Sequence, residues 1–326
     1  MYKRQFHNNI LKIKTAADYK QIKSSVITIG TFDGVHIGHQ QIIHRLVDTA
    51  RKNDLQALVL TFFPHPRMVI QNDSNIKLIN TIDEKAKQLE QLGVDHLVVK
   101  EFTKSFSRLT ALEYVRDILV NKLKVKHIIV GYDHHFGRNR TANINELKEF
   151  GAFYDFEVTE IEPQEVDDVA VSSTKIRSAI LKGNIPTANK FLGYNFMLTG
   201  TVIKGKGLGK TLDFPTANIQ IEAAYKLIPK HGVYVVKSQI KGVEVFGMMN
   251  IGKNPTVNEG NQTKIEVHFF DFSANLYGAV LKIELLDHLR SEIKFPNIEA
   301  LKFCLLYTSD AADEGLGVDL GGRRII

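Results

Sequence analysis

Apolar positions in the first half of the chain fall into two alternating textures. Short, nearly unbroken runs, Val26-Ile27-Thr28-Ile29, Ala57–Phe62, Asp95–Val99 and Lys126–Val130, read as strands covered on both faces. Between them the spacing turns helical, over Gln40–Val47, over Thr81–Leu92 closed by Gly93, and over Thr110–Leu119. Strands alternating with helices predict a Rossmann-like, doubly wound parallel sheet with right-handed crossovers. From Gly193 onward the texture becomes short β runs with many glycines: Thr199–Ile203, Gly232–Val236, Val243–Met249, Lys264–Phe269 and Ala279–Leu285. Those predict a small antiparallel β-barrel. Gly183-Asn184-Ile185-Pro186 breaks the periodicity between the two, so the first domain is read as 1–186 and the second as 187–303.

The first strand ends in Gly30, turns through Phe32-Asp33-Gly34, and enters His36-Ile37-Gly38-His39 ahead of a helix. A helix N-terminus leaving a sheet offers free N–H groups and a positive dipole end, which suits nucleotide phosphates. Two imidazoles three residues apart share a helical face and can both donate hydrogen bonds to oxygens that gain charge during phosphoryl or nucleotidyl transfer. Alone, His-x-x-His also fits a metal pair or surface histidines; the interleaved glycines favour the nucleotide. The run resembles the HxGH signature of the nucleotidyltransferase superfamily, in the form found in bacterial bifunctional riboflavin kinase/FAD synthetases. The resemblance implies ATP contacts from Gly30, Phe32, Asp33 and Gly38, with His36 and His39 catalytic.

Further segments carry the same resemblance. Phe63-Pro64-His65-Pro66-Arg67 stops the second strand as a stiff loop, where ligands of open α/β sheets gather. Val130-Gly131-Tyr132-Asp133-His134-His135-Phe136-Gly137 is similar to a family loop, which implies flavin-side roles for Pro64, His65, Asp133 and Phe136. Arg138 and Arg140 follow as phosphate contacts or surface charges. Ser172-Ser173-Thr174-Lys175-Ile176-Arg177 reads as N-cap chemistry, and Arg177 falls one turn beyond Ser173 on the same edge. It matches the superfamily's second signature, which implies that Ser173, Thr174 and Arg177 hold a triphosphate.

In the second half, Lys204-Gly205-Lys206-Gly207-Leu208-Gly209-Lys210-Thr211 is not a P-loop: Lys204 stands where its first glycine is needed, and no helix follows before Pro215. A glycine-rich nest can still cradle phosphates, here from Gly205, Gly207, Gly209 and Lys210. Pro215-Thr216-Ala217-Asn218 then resembles a riboflavin kinase motif, in which the Thr216 hydroxyl and Asn218 amide oxygen would ligate a magnesium ion held by ATP. Asn250-Ile251-Gly252 and Arg290 are similar to family flavin-side positions. Glu266 stands at the family's catalytic carboxylate, a suitable base for a primary alcohol. Asp213 departs from the family, which usually has glycine there, and a carboxylate beside phosphates would repel them.

Composition narrows the classes. With 326 residues, 44% hydrophobic, the chain can bury two cores. A net charge of +6 spread without a basic block suits anionic small substrates better than nucleic acid. The single cysteine, Cys304, excludes a disulfide framework and a thiolate zinc site. No run approaches a membrane span, so a cytoplasmic protein is expected. The end from Cys304 to Ile326 is similar to translated sequencing adapter and is read as a non-native tail. The resemblance thus implies an enzyme that makes FMN from riboflavin and ATP, and FAD plus pyrophosphate from FMN and ATP.

Overall fold

The computed structural model describes residues 12–15, 24–71, 76–131, 134–161, 165–166, 169–205, 215–253 and 263–291. Chain packing divides it into two units, Met1–Ser173 and Thr174–Ile326. In the first, strands β1 (Lys12–Thr15), β2 (Ser25–Ile29), β3 (Gln56–Phe63), β4 (His96–Glu101), β5 (Val125–Gly131) and β6 (Glu157–Ile161) form one sheet in the order β1-β4-β3-β2-β5-β6. Every neighbouring pair is parallel. Helices α1 (Ile37–Lys52), α2 (Pro66–Ile70), α3 (Ile82–Gln91), α4 (Ala111–Glu113, continuing as a π-helix over Tyr114–Lys122) and α5 (Ile144–Tyr154) connect the strands.

Strand geometry explains why the buried runs need no polar face. Adjacent residues point to opposite sides of a sheet, and each apolar doublet feeds both cores. Ile27, Leu58, Val98 and Ile128 pack on one side with Leu119, Tyr114 and Leu147. Val26, Val59, Leu97 and Ile129 pack on the other with Ile43, Leu46 and Leu89 from α1 and α3. The sheet grows one way through β2-β3-β4 and then returns to lay β5 on the other side of β2. That reversal is a topological switch point, and the loop leaving its carboxyl end is the one that carries His36.

Along the chain, β6 is followed by the hairpin β7 (Glu165–Val166) and β8 (Val169–Ala170), then by α6 (Ser173–Lys182) and α7 (Ile185–Leu192). The break at Gly183–Pro186 separates two helices. Asn184 caps α7 by accepting the Thr187 N–H at 3.2 Å, and Pro186 occupies the first turn, where its missing N–H costs nothing.

In the second unit, β9 (Met197–Ile203), β10 (Ala217–Gln220), β11 (Gly232–Ile240), β12 (Val243–Lys253), β13 (Thr263–Phe269) and β14 (Val280–Arg290) close a barrel in the order β10-β13-β12-β11-β14-β9. All six pairings are antiparallel. Alternation fills the interior with Met249, Ile251, Ile265, Val267, Leu281, Ile283 and Leu285. Helix α7 docks on β14 through Asn189, whose Nδ2 donates to the Leu285 carbonyl at 2.9 Å while its Oδ1 accepts the Phe196 N–H at 2.7 Å.

Leu58 is fully buried at the centre of the parallel sheet. Leu58→Ala should therefore cost about 2–5 kcal/mol in urea unfolding followed by circular dichroism. A cost below about 1 kcal/mol would contradict this core.

Candidate functional site

The first site is the turn between β2 and α1. Phe32, Gly34 and Val35 all adopt positive φ, at 43°, 88° and 37°. Only Gly34 does so without strain, so the surroundings must hold the other two. Phe32 and Val35 are buried, and the Phe32 ring lies against Gly30, where an added Cβ would come within 3.1 Å of it. Asp33, 2% exposed, points into the protein: its Oδ1 accepts the backbone N–H of Ile79 at 2.9 Å and of Asn80 at 3.4 Å. Its carbonyl accepts the Ser173 hydroxyl at 2.8 Å.

His36 stands one residue outside α1 as its N-cap, so the two histidines are not both on the helical face that spacing predicts. Its Nδ1 accepts the N–H of His39 at 3.4 Å, in place of the usual Ser, Asn or Asp oxygen. The pair still converges: the rings stack with centroids 3.6 Å apart and 19° between planes, and Phe32 meets the His39 ring edge-on at 5.1 Å. Because Nδ1 of His36 accepts, the neutral ring carries its proton on Nε2. The first turn of α1 has no acidic residue, leaving its positive end uncompensated.

Burial sets the charge here. It pushes His36 down to about 4 against the opposing pull of Asp33, and takes His39 well below the usual histidine range, helped by His36 and Lys85. Both rings are thus neutral donors near pH 7. His39 Nδ1 is buried and has no protein partner. Periodicity places Lys85 in an ordinary amphipathic helix, yet it is 3% exposed, and burial lowers it to about 8 although Asp33 pulls the other way.

The other predicted residues of this half are placed as follows. Gly38 is half-buried in the first turn of α1. His65, flanked by Pro64, caps the short helix α2 by accepting the Arg67 N–H on Nδ1 at 3.2 Å. Phe136 is buried in the core beside Tyr114 and Phe150, and Asp133 lies outside the described residues. Arg138 and Arg140 form an exposed turn. On α6, Ser173 belongs to the first unit, whereas Thr174, exposed, and Arg177, half-buried, belong to the second.

In the barrel, register assembles the second site. Asn218 on β10 lies opposite Glu266 on β13, which lies opposite Asn250 on β12. Asn250 is opposite Val233 on β11, which faces Arg290 on β14. Directly opposed residues share a sheet face, so four predicted residues from distant sequence positions fall in one row. Ile265 and Val267 point inward, which turns Glu266 outward; its Oε1 pairs with Lys264 at 2.7 Å. Asn218 is 8% exposed, and Gly205 packs so closely that an added Cβ would lie 2.1 Å from its Nδ2. Thr216 is half-buried, and the preceding Pro215 carbonyl accepts from His268 Nδ1 at 2.9 Å, which ties this loop to β13. A cleft of about 750 Å³ adjoins, lined by Gly205, Asn218, Lys226 and Lys264 among others. Gly252 is buried on β12; Gly207, Gly209, Lys210 and Asp213 lie outside the described residues, as does the end from Cys304.

Neither Lys226, buried with its ammonium 4.6 Å above the Phe196 ring, nor His268 is singled out by spacing. Their roles arise from tertiary contacts. For magnesium, the donors present are a hydroxyl and an amide oxygen, the hard neutral oxygens that complement an ion already carried by phosphates. Among the described residues no group of three His, Cys, Asp or Glu side chains could hold a metal unaided.

The depressed histidines make stability pH-dependent. Unfolded, they take up protons near 6.5; folded, His36 does so only near 4 and His39 only well below the usual histidine range, so acid favours the unfolded chain. Stability should fall from about pH 6.5 downward by up to about 1.4 kcal/mol per pH unit for each ring. Urea midpoints at about pH 7 and pH 5 should show a smaller loss in a His36→Gln/His39→Gln chain; an equal loss would contradict the neutral pair.

Comparison with known proteins agrees with both halves. The FAD synthetase family model matches residues 18–175 and the riboflavin kinase model matches 192–311. Bifunctional riboflavin kinase/FMN adenylyltransferases are similar to it across most of their length. That of Listeria monocytogenes is 39% identical, covering 85% of this chain and 88% of its own; that of Haemophilus influenzae is 36% identical, covering 86% and 91%. A crystal structure described as a macrolide-efflux protein from Streptococcus pneumoniae superposes with a TM-score of 0.83 at 31% identity, over 92% of this chain and 98% of that one. Among the described residues no helix is long and apolar enough to cross a membrane. With both family models matched in order and relatives of this closeness over most of its length, the chain belongs to the bifunctional riboflavin kinase/FMN adenylyltransferase family.

Proposed function

We propose that the chain performs two successive transfers in a cytoplasmic setting. The barrel phosphorylates riboflavin with ATP to FMN, and the α/β unit adenylylates FMN to FAD with release of pyrophosphate. The domains are assigned as 1–186 and 187–303, with 304–326 outside the working enzyme although the riboflavin kinase match runs on to residue 311. What chiefly supports this division is that each unit gathers its own set of phosphate-directed groups, one around a stacked neutral imidazole pair and one along a barrel row.

In adenylyl transfer an oxygen of the FMN phosphate attacks the α-phosphorus of ATP, and the bond to pyrophosphate breaks. The nucleophile is already ionised, so no base is needed. His36 Nε2–H and the His39 imidazole donate to the oxygens that gain charge, reinforced by the free N–H groups of α1. Gly30, Phe32 and Gly38 shape the nucleotide's approach, Asp33 fixes the turn, and Ser173, Thr174 and Arg177 are assigned to the ATP phosphates. Pro64, His65, Asp133 and Phe136 are assigned to the flavin side, His65 and Phe136 through the loops they anchor.

In the kinase reaction Glu266 removes the proton from the riboflavin primary alcohol as it attacks the γ-phosphorus of ATP. Asn250, Gly252 and Arg290 face the flavin, and Gly205, Gly207, Gly209 and Lys210 cradle the phosphates. Thr216 and Asn218 would hold magnesium, which when bound offsets the charge of the transferring phosphoryl group.

The division is tested by supplying riboflavin or FMN with MgATP and resolving the flavins by chromatography. His39→Ala should cut FAD formation by about 100-fold or more while FMN formation persists, and Glu266→Ala should do the converse. Equal loss of both products in either variant would refute it. Gly205→Ala should displace the Asn218 amide and depress FMN formation alone by about tenfold or more; unchanged FMN formation would detach Asn218 from the kinase reaction.

A further inference from the structure

The segment from Ile79 to Lys85 grips the His36 turn at two points. At one, the amides of Ile79 and Asn80 hold the Asp33 carboxylate. At the other, Lys85 Nζ donates to the Thr31 carbonyl at 2.7 Å and to Thr61 Oγ1 at 3.4 Å. Thr61 Oγ1 donates to the same Thr31 carbonyl at 3.2 Å, so the first residue of the turn is fixed from β3 and from α3 together. Helix α3 is itself registered by a reciprocal cap: Thr81 Oγ1 accepts the Glu84 N–H at 3.1 Å, and Glu84 accepts the Thr81 N–H at 2.9 Å.

A lysine 3% exposed between a helix and a parallel sheet is an expensive way to fill space, since an aliphatic side chain would pack there without losing hydration. The titratable groups facing its ammonium are the Asp33 carboxylate and the His39 imidazole, with His36 stacked on the latter. Both imidazoles are neutral, so fixed positive charge under the turn comes from Lys85. An ammonium at that point opposes protonation of His39 and pins the backbone from which the positive-φ turn departs.

We propose that Lys85 is a positioning residue for adenylyl transfer, holding the Thr31 carbonyl so that His36 and His39 stay stacked as neutral donors at the mouth of α1. This rests on the assignment of that transfer to the histidine site.

The test uses the full chain, with kcat, KM and kcat/KM for FMN adenylylation measured across pH and riboflavin phosphorylation by the barrel as an internal control. Lys85→Met, which keeps length but removes charge and donors, should lower kcat for FAD formation about ten- to a hundredfold, change KM for ATP less than about threefold, and spare FMN formation. Wild-type kcat/KM should decline above about pH 8 as the ammonium loses its proton. That basic limb should be absent from Lys85→Met, and in Lys85→Arg, which retains the charge, it should disappear from the accessible range while part of kcat returns. Near-wild-type FAD formation by Lys85→Met, or the same basic limb persisting in it, would overturn the proposal. Should Lys85→Met unfold by circular dichroism, Lys85→Arg decides: a basic limb unchanged from wild type overturns it. Undiminished FAD formation by His39→Ala overturns the site assignment, and the inference with it. That failure is distinguishable because every Lys85 variant keeps both histidines.

Discussion

The bond from the Asp33 carboxylate to the amides of Ile79 and Asn80 is the contact on which the first site depends. Between β2 and α1 the chain must reverse within a few residues, and it does so through positive φ at Phe32 and Val35, neither of which favours it. Such a turn persists only if its surroundings over-determine it. Asp33 holds its middle, Lys85 its start and Ser173 its carbonyl edge, while Phe32 and Val35 are pressed into the core. The result places one imidazole at the N-cap and the other in the first turn, where free N–H groups and the helix dipole already favour an anion.

The barrel solves a similar problem by another route. There no strained turn is needed, because antiparallel register aligns Asn218, Glu266, Asn250 and Arg290 across five strands. A one-residue slip of β13 would send Glu266 inward and Ile265 or Val267 outward. The buried apolar face therefore secures the position of the polar one. A cleft lined by Asn218 and Gly205 adjoins β10, where Gly205 packs against the Asn218 amide and His268 ties the Pro215 carbonyl to β13.

Much of this was legible in the sequence, for identifiable reasons. The parallel strands announce themselves because both faces are buried and apolar doublets recur; the barrel strands do so by alternation. His36 and His39 are visible because glycines surround them. Helix α7 is hidden because Pro186 reads as a breaker, though in a first helical turn it is harmless. The strand β6, whose residues are mostly half-exposed, lacks the continuous apolar run that marks its neighbours. The N-cap position of His36 could not be read from spacing alone, since three residues apart fits a cap with its third helical residue as well as a shared helical face. Lys85 was beyond reach for a different reason: a lysine in an amphipathic helix looks solvated until the tertiary contacts show that its turn faces the sheet.

The central claim is that the first site works with uncharged, oriented imidazoles. Its most direct test is a pH titration of the imidazole nitrogens of His36 and His39 by nitrogen-15 NMR in the full chain. The account predicts that His36 carries its proton on Nε2 near pH 7, that it becomes imidazolium only around pH 4, and that His39 likewise becomes imidazolium only well below the usual histidine range. An imidazolium at either position near pH 6.5, or a His36 protonated on Nδ1, would contradict it.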